Sequence, residues 1–174
     1  MKSEAYFSEC RAFRYWLLRV WDDRLPILGV IGVNPSTADE TKNDPTIRKD
    51  MGFASRLGFG GILKLNVGAF RATDPRDWRR ATDPIGPENT ALHLKIYAER
   101  FHVESMIAAW GKNGVYAQEQ CSAIAKEFPS LQCWGFNGDG TPKHPLMLSY
   151  TTKLQPFAQP TKSDLTPSKD DVPA

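Results

Sequence analysis

Two apolar runs open the pattern of the chain. Residues 13–20 are apolar with interspersed arginines, and residues 26–33 (P-I-L-G-V-I-G-V) are almost wholly apolar. Asp22 and Asp23 lie between them in the manner of a turn, so the two runs predict a β-hairpin. The second run has the unbroken hydrophobicity of a strand covered on both faces of a sheet. It stops abruptly at Asn34-Pro35-Ser36. Ser36-Thr37-Ala38-Asp39 then predicts a helix start, a shortened capping box with Asp39 where Glu is usual. A second start follows, with Asp44 as N-cap and Pro45 at the first helical position. Ile47, Met51, Ala54 and Leu57 recur at helical spacing until Gly58 and Gly60-Gly61 end the helix, and residues 62–67 form the next strand.

A polar loop over residues 71–87 carries a short helical turn around Trp78. Residues 88–101 predict a helix with Leu92, Ile96 and Leu94 facing inward. Residues 103–110 read as a strand, Gly111-Lys112-Asn113-Gly114 as a turn, residues 116–128 as a helix and residues 131–135 as a short strand. After the hairpin, strands and helices alternate. That is the pattern of an α/β protein with three layers, α/β/α, around a central, mainly parallel sheet preceded by an N-terminal hairpin strand. Residues 1–154 are expected to form one domain. Residues 155–174 carry four prolines and few large apolar groups, and are expected to be a disordered tail.

Composition changes this picture little. The 174 residues are 41% hydrophobic and 24% charged, enough for one well-cored soluble domain. No apolar run approaches the roughly 20 residues that span a bilayer. The first ten residues lack the apolar stretch of a signal peptide, so a cytoplasmic protein with no membrane partner is expected. Cys10, Cys121 and Cys133 are odd in number and widely spaced, without a C-x-x-C pair, and only three histidines are present. No zinc site, other metal or cofactor is expected. A net charge of +2 leaves any nucleic-acid contact to a local basic patch. Nothing in the pattern specifies an oligomer.

In sheets of this kind ligands bind at the carboxyl ends of the parallel strands. The residues delivered there include Asn34, Pro35 and Ser36; Lys64 and Asn66, then Phe70 and Arg71; Lys112 and Asn113; and finally Lys143, His144 and Pro145. Each is also a residue type that turns use for their own reasons. Asp39 and Asp44 are candidate bases or, equally, helix caps. Phe70 and Phe53 are candidate stacking platforms for a base, or core aromatics. Lys64, Arg71, Arg76, Arg79 and Arg80 outnumber Asp74 and Asp77 over residues 61–80. With Lys143 they could track phosphates, and Trp78 could stack on a base. The plainer reading is a solvated loop whose Asp and Arg side chains neutralise one another. His93 and His102 fall on a helix and its end, as surface residues.

Together, four motifs resemble the uracil-DNA glycosylase superfamily. They are G-V-N-P-S at residues 32–36, L-K-L-N at 63–66, A-A-W-G-K at 108–112 and K-H-P at 143–145. The order N-P-S, D-P-T, R-A-T-D-P and a late H-P also resembles a functionally unassigned family found in bacteria and phages. The first resemblance implies a glycosylase-like fold that recognises a base in DNA or in a nucleotide, with hydrolysis of its N-glycosidic bond as the plainest activity. A non-catalytic nucleotide-binding module and an enzyme that modifies a DNA base are the alternatives.

On the glycosylase reading His144 donates to an oxygen of the departing base, where a dry pocket makes the donor most effective. Asn34 holds the attacking water by its amide oxygen, and Asp39 or Asp44 supplies a base. Asn66 presents a donor and an acceptor side by side to a pyrimidine edge. Ser36, Pro35, Phe70, Arg71, Lys112 and Asn113 complete the substrate contacts. Ser36 stands where the superfamily has glycine, Leu146 where it has serine, and the first motif lacks an aspartate. An amide cannot accept the proton, so such an enzyme is expected to be slow.

Overall fold

The strand predicted from residues 26–33 sits at the centre of a seven-stranded sheet. A computed structural model describes residues 1–158. Strands β1 (Lys2–Phe7), β2 (Arg14–Val20), β3 (Ile27–Gly32), β4 (Gly61–Asn66), β5 (Ser105–Ala108), β6 (Gln132–Cys133) and β7 (Gln155–Pro156) are ordered β1-β2-β4-β3-β5-β6-β7. The four inner strands β4, β3, β5 and β6 run parallel, while β1, β2 and β7 are antiparallel additions at the edges.

The predicted hairpin between residues 13–20 and 26–33 does not form. Strand β2 pairs antiparallel with β4, which lies between β2 and β3, and its hairpin partner is β1. The Asp22-Asp23 turn therefore carries the chain over β4 instead of into the neighbouring strand. Gly60 makes that crossing possible: its carbonyl accepts from the amides of Trp21 and Asp22, and a Cβ there would collide with the backbone of Asp22.

Helix α1 (Pro45–Arg56) starts as predicted. Asp44 accepts from the Ile47 amide at 2.9 Å, and Pro45 occupies the first turn, where a missing N–H costs nothing. Short helix α2 (Pro75–Arg80), α3 (Ala91–Arg100) and α4 (Gln118–Glu127) follow, the last entered through a 3-10 helix (Lys112–Ala117). The predicted helix start at Ser36 is absent: the Asp39 carboxylate turns forward onto Thr41 and Lys42, and the segment is loop.

The period-2 alternation of the strands divides the core between two faces. Leu28, Val30, Ile62 and Ile107 pack with Ile47, Phe53 and Ala54 of α1. Ile31, Leu63, Leu65 and Met106 pack with Leu94 and Ala98 of α3 and Ile124 of α4. In α3 the inward face is Ala91, Leu94, Tyr97 and Ala98, while Leu92 and Ile96, predicted inward, are exposed. Strand β7 includes residues 155–156, two places beyond the expected domain end, and Phe157 packs edge-on against Trp110. The rest of the expected tail, residues 159–174, lies outside the described residues. Among the described residues no helix is long and apolar enough to cross a membrane.

Candidate functional site

Period 2 along β4 sends Ile62, Lys64 and Asn66 towards the α1 layer and Leu63 and Leu65 away from it. Apolar Ile62 belongs to that layer's core, but Lys64 and Asn66 carry polar groups into it at 3% and 1% exposure. They reach a small cavity at the carboxyl ends of β3 and β4, of about 50 Å³, room for a few water molecules. Arg14, Asn34, Lys64, Asn66 and His144 line it, with Ser36 from the loop after β3 and Asp44 and Thr46 from the start of α1. The structure thus brings together Asn34, Ser36, Asp44, Lys64, Asn66 and His144 from among the residues singled out in the sequence.

Each of these side chains is held in a defined state. Asn34 spends both amide hydrogens on backbone, donating to Ala72 O at 2.8 Å and Pro35 O at 3.0 Å. Its orientation is thereby fixed, and its oxygen is what remains for the cavity. His144 accepts the Leu146 amide on Nδ1 at 3.2 Å, which assigns the neutral-ring proton to Nε2. Burial, then the Lys64 charge, lowers its pKa to about 4, so at neutral pH the ring is an uncharged donor. Gly111 seats it: this residue has φ +66°, and a Cβ would come within 3.2 Å of the His144 Cβ. Gly32 does the same for β4, since a Cβ there would lie 2.9 Å from Asn66 Oδ1 and 3.0 Å from Lys64 Nζ. The Asn66 Nδ2 has no hydrogen-bond partner among the described residues.

Lys64, expected as a phosphate contact, is buried and paired within the fold. Its Nζ donates to Asp50 Oδ2 at 2.8 Å, and both side chains are almost fully buried. Burial raises the Asp50 pKa against the opposing pull of Lys64. Sequence reasoning missed Asp50 and Arg14. The signal for Asp50 was its place on the apolar face of α1, three residues after Ile47 and four before Ala54; for Arg14, it was an arginine opening a run of fully buried strand residues.

The remaining candidates lie elsewhere. Asp39 builds its own loop, accepting from the Thr41 and Lys42 amides, which hold its carboxyl below the usual range; its backbone oxygen accepts from Arg19. Pro35 contributes its carbonyl to Asn34 and to the Ala72 amide. Phe70 packs edge-on against Phe13, and Phe53 is a core aromatic 4.4 Å from Trp134. Trp78 is buried and donates to Pro84 O, so it offers no stacking surface. Arg71 lies over Phe7 and donates to Arg11 O. Lys112 is exposed and Asn113 half-buried on the 3-10 helix, while Lys143 lies along Gly135; none of the three lines the cavity.

Of the expected basic patch, Arg76 pairs with Asp74 at 2.7 Å, Arg79 stacks on Tyr116 at 4.1 Å with its charge unpaired, and Arg80 is exposed. Asp74 caps α2 as well, by accepting the Arg76 amide. Cys121 and Cys133 are buried thiols and Cys10 is exposed, with no disulfide among the described residues. No group of three or more His, Cys, Asp or Glu side chains among the described residues could hold a metal ion.

No curated protein and no solved structure matches the chain. One family does, described as "Protein of unknown function (DUF1643)", over residues 14–146. That span holds β2 to β6 and every residue lining the cavity, as well as the N-P-S, D-P-T, R-A-T-D-P and H-P motifs that resemble a functionally unassigned family. The match covers well over half of the sequence, and the chain belongs to the DUF1643 family.

Proposed function

We propose that the cavity reads the edge of a nucleobase, and that the protein is a base-recognising enzyme on a uracil-DNA glycosylase-like fold, hydrolysing the N-glycosidic bond of an altered base in DNA or in a nucleotide. The observation that carries this reading is the convergence of Asn34, Asn66 and His144 on one cavity at the carboxyl ends of two adjacent parallel strands. Bond breaking places negative charge on the departing base. A neutral His144, with its proton on Nε2, donates to the base oxygen where that charge gathers. Asn34, its amide locked by two backbone carbonyls, offers its oxygen to a water below the sugar carbon. Asn66 reads the edge, and the wrong edge leaves a buried amide unpaired at a cost of about 1–3 kcal/mol.

A second reading is favoured by a specific observation. The one carboxylate lining the cavity among the described residues, Asp44, is tied to the helix as its N-cap through Oδ1, and Asp39 is outside the cavity. A binding module that keeps the pocket and does no chemistry fits that arrangement. The same experiment separates the two. Free base is measured by chromatography from single- and double-stranded oligonucleotides carrying uracil, hypoxanthine or modified pyrimidines. The enzyme reading expects slow release of one base, abolished in Asn34→Ala. Absence of release from folded protein at high concentration rejects it in favour of binding.

A further inference from the structure

Arg14 is the least explained charge in the molecule. It is 1% exposed and lines the cavity, yet no carboxylate lies within salt-bridge distance among the described residues. Its hydrogen bonding is confined to Nη1, which donates to Ala38 O at 2.7 Å, while Nε is buried without a partner. Burial pulls its pKa down to about 10, which still leaves the guanidinium charged at neutral pH. An unpaired buried cation is among the most expensive arrangements a fold can keep.

Three further features of the same cavity present positive potential or unpaired donors. The N-terminus of α1, a 12-residue helix, ends there. In its first turn Pro45 has no N–H and the Ile47 N–H is taken by Asp44, so the N–H at Thr46 is left over among the described residues. The Asn66 Nδ2 is buried and unpaired, and His144 contributes a neutral Nε2–H. Of the nearby negative groups, Asp50 is paired with Lys64, while Asp44 caps the helix through Oδ1 and keeps Oδ2 at the cavity's edge. From beyond salt-bridge distance Asp44 and Asp39 attract Arg14, while Arg71 and Arg19 repel it.

The geometry points to an oxyanion site: the cavity takes a small carboxylate- or phosphate-type group of the ligand, seated against Arg14, Asn66 and the first turn of α1. This rests on the base-recognition reading only for the identity of the ligand. The site itself stands on the unpaired Arg14 and Asn66 and on the helix terminus. Two sources have the required chemistry, an acidic substituent on the base and a nucleotide phosphate.

The test is calorimetric titration of the full chain with inorganic phosphate, with uridine against uridine 5′-monophosphate, and with uracil against 5-carboxyuracil, at matched chloride. The expected result is saturable phosphate binding and at least about tenfold tighter binding of one anionic partner than of its neutral counterpart, the scale of a charge-assisted hydrogen bond. The tighter pair names the source. Arg14→Gln, with its fold checked by circular dichroism, weakens the anion by about tenfold or more and the neutral compound far less. Should Arg14→Gln fail to fold, Asn66→Asp places a like charge beside the anion at nearly constant shape and is expected to act in the same direction. Phosphate without saturation, together with anionic and neutral ligands bound alike, overturns the site. Base release without anion preference removes the oxyanion site and keeps the enzyme; anion preference without release does the reverse.

Discussion

Two ion pairs of almost equal length sit in opposite surroundings. Lys64 and Asp50 meet at 2.8 Å with side chains 4% and 0% exposed; Arg76 and Asp74 meet at 2.7 Å on α2 with side chains 69% and 37% exposed. Water separates their energetics. The α2 pair is screened and replaceable by solvent, and such pairs contribute little. The buried pair has given up hydration that only its partner restores, so either member alone is a heavy liability. A fold keeps charge in its interior only where other groups hold it there. Around Lys64 those groups are Asp50, the open face of Gly32 and the cavity.

Breaking the buried pair has the largest expected effect. Asp50→Ala leaves Lys64 uncompensated and is expected to lower stability by about 3–5 kcal/mol in urea denaturation. The double variant Lys64→Met/Asp50→Leu, which removes both charges and refills the space, is expected to regain most of that loss. If the double variant is no better than the single one, packing and not charge governs the site. Next comes the pH dependence. The His144 pKa is about 4 in the folded protein against 6.5 ordinarily, so the unfolded chain binds its proton first as pH falls. Its effect is absent well above pH 6.5 and stability is lost between there and pH 4, by roughly 3.5 kcal/mol at most. The difference between wild type and His144→Gln across that window isolates it, and two parallel curves would show that His144 does not titrate this way.

Gly32→Ala pushes a methyl group against Asn66 Oδ1 and Lys64 Nζ, and is expected to lose about 1–3 kcal/mol and ligand binding with it. At the other end of the comparison, Arg76→Ala on α2 is expected to leave the urea midpoint unchanged. A clear destabilisation there would mean that exposure is a poor guide to which charges matter in this fold.

What was legible in the sequence follows from range. Strand β3 and the start of α1 are local: an unbroken apolar run, then Asp44 and Pro45, each with one structural solution. The convergence of Asn34 and Asn66 was also readable, because parallel strands deliver their last residues to a common edge; His144 comes from the loop after β6 and was marked only by the late His-Pro motif. Strand pairing was not, since nothing local to Asp22-Asp23 says that β4, some forty residues on, inserts between β2 and β3. Helix α3 is apolar on more than one side, and the stripe of Ala91, Leu94 and Ala98 is inward because Tyr97 anchors it by donating to Glu88 O. Asp39 fits a capping pattern, but Arg19 reaches the carbonyls of Asp39 and Lys42 and fixes the segment as loop. Lys64 looked like a surface base because its partner, Asp50, is distant in sequence and belongs to another element.

The central claim is that chemistry resides in the buried cavity and not on the basic surface of α2. The measurement that tests it most directly is the single-turnover rate of base release by wild type, Asn34→Ala and the Arg76→Ala/Arg79→Ala/Arg80→Ala variant on the same oligonucleotide at saturating protein. The account predicts that release disappears in Asn34→Ala and persists near the wild-type rate in the arginine variant. Release that survives Asn34→Ala and falls with the arginines would contradict it.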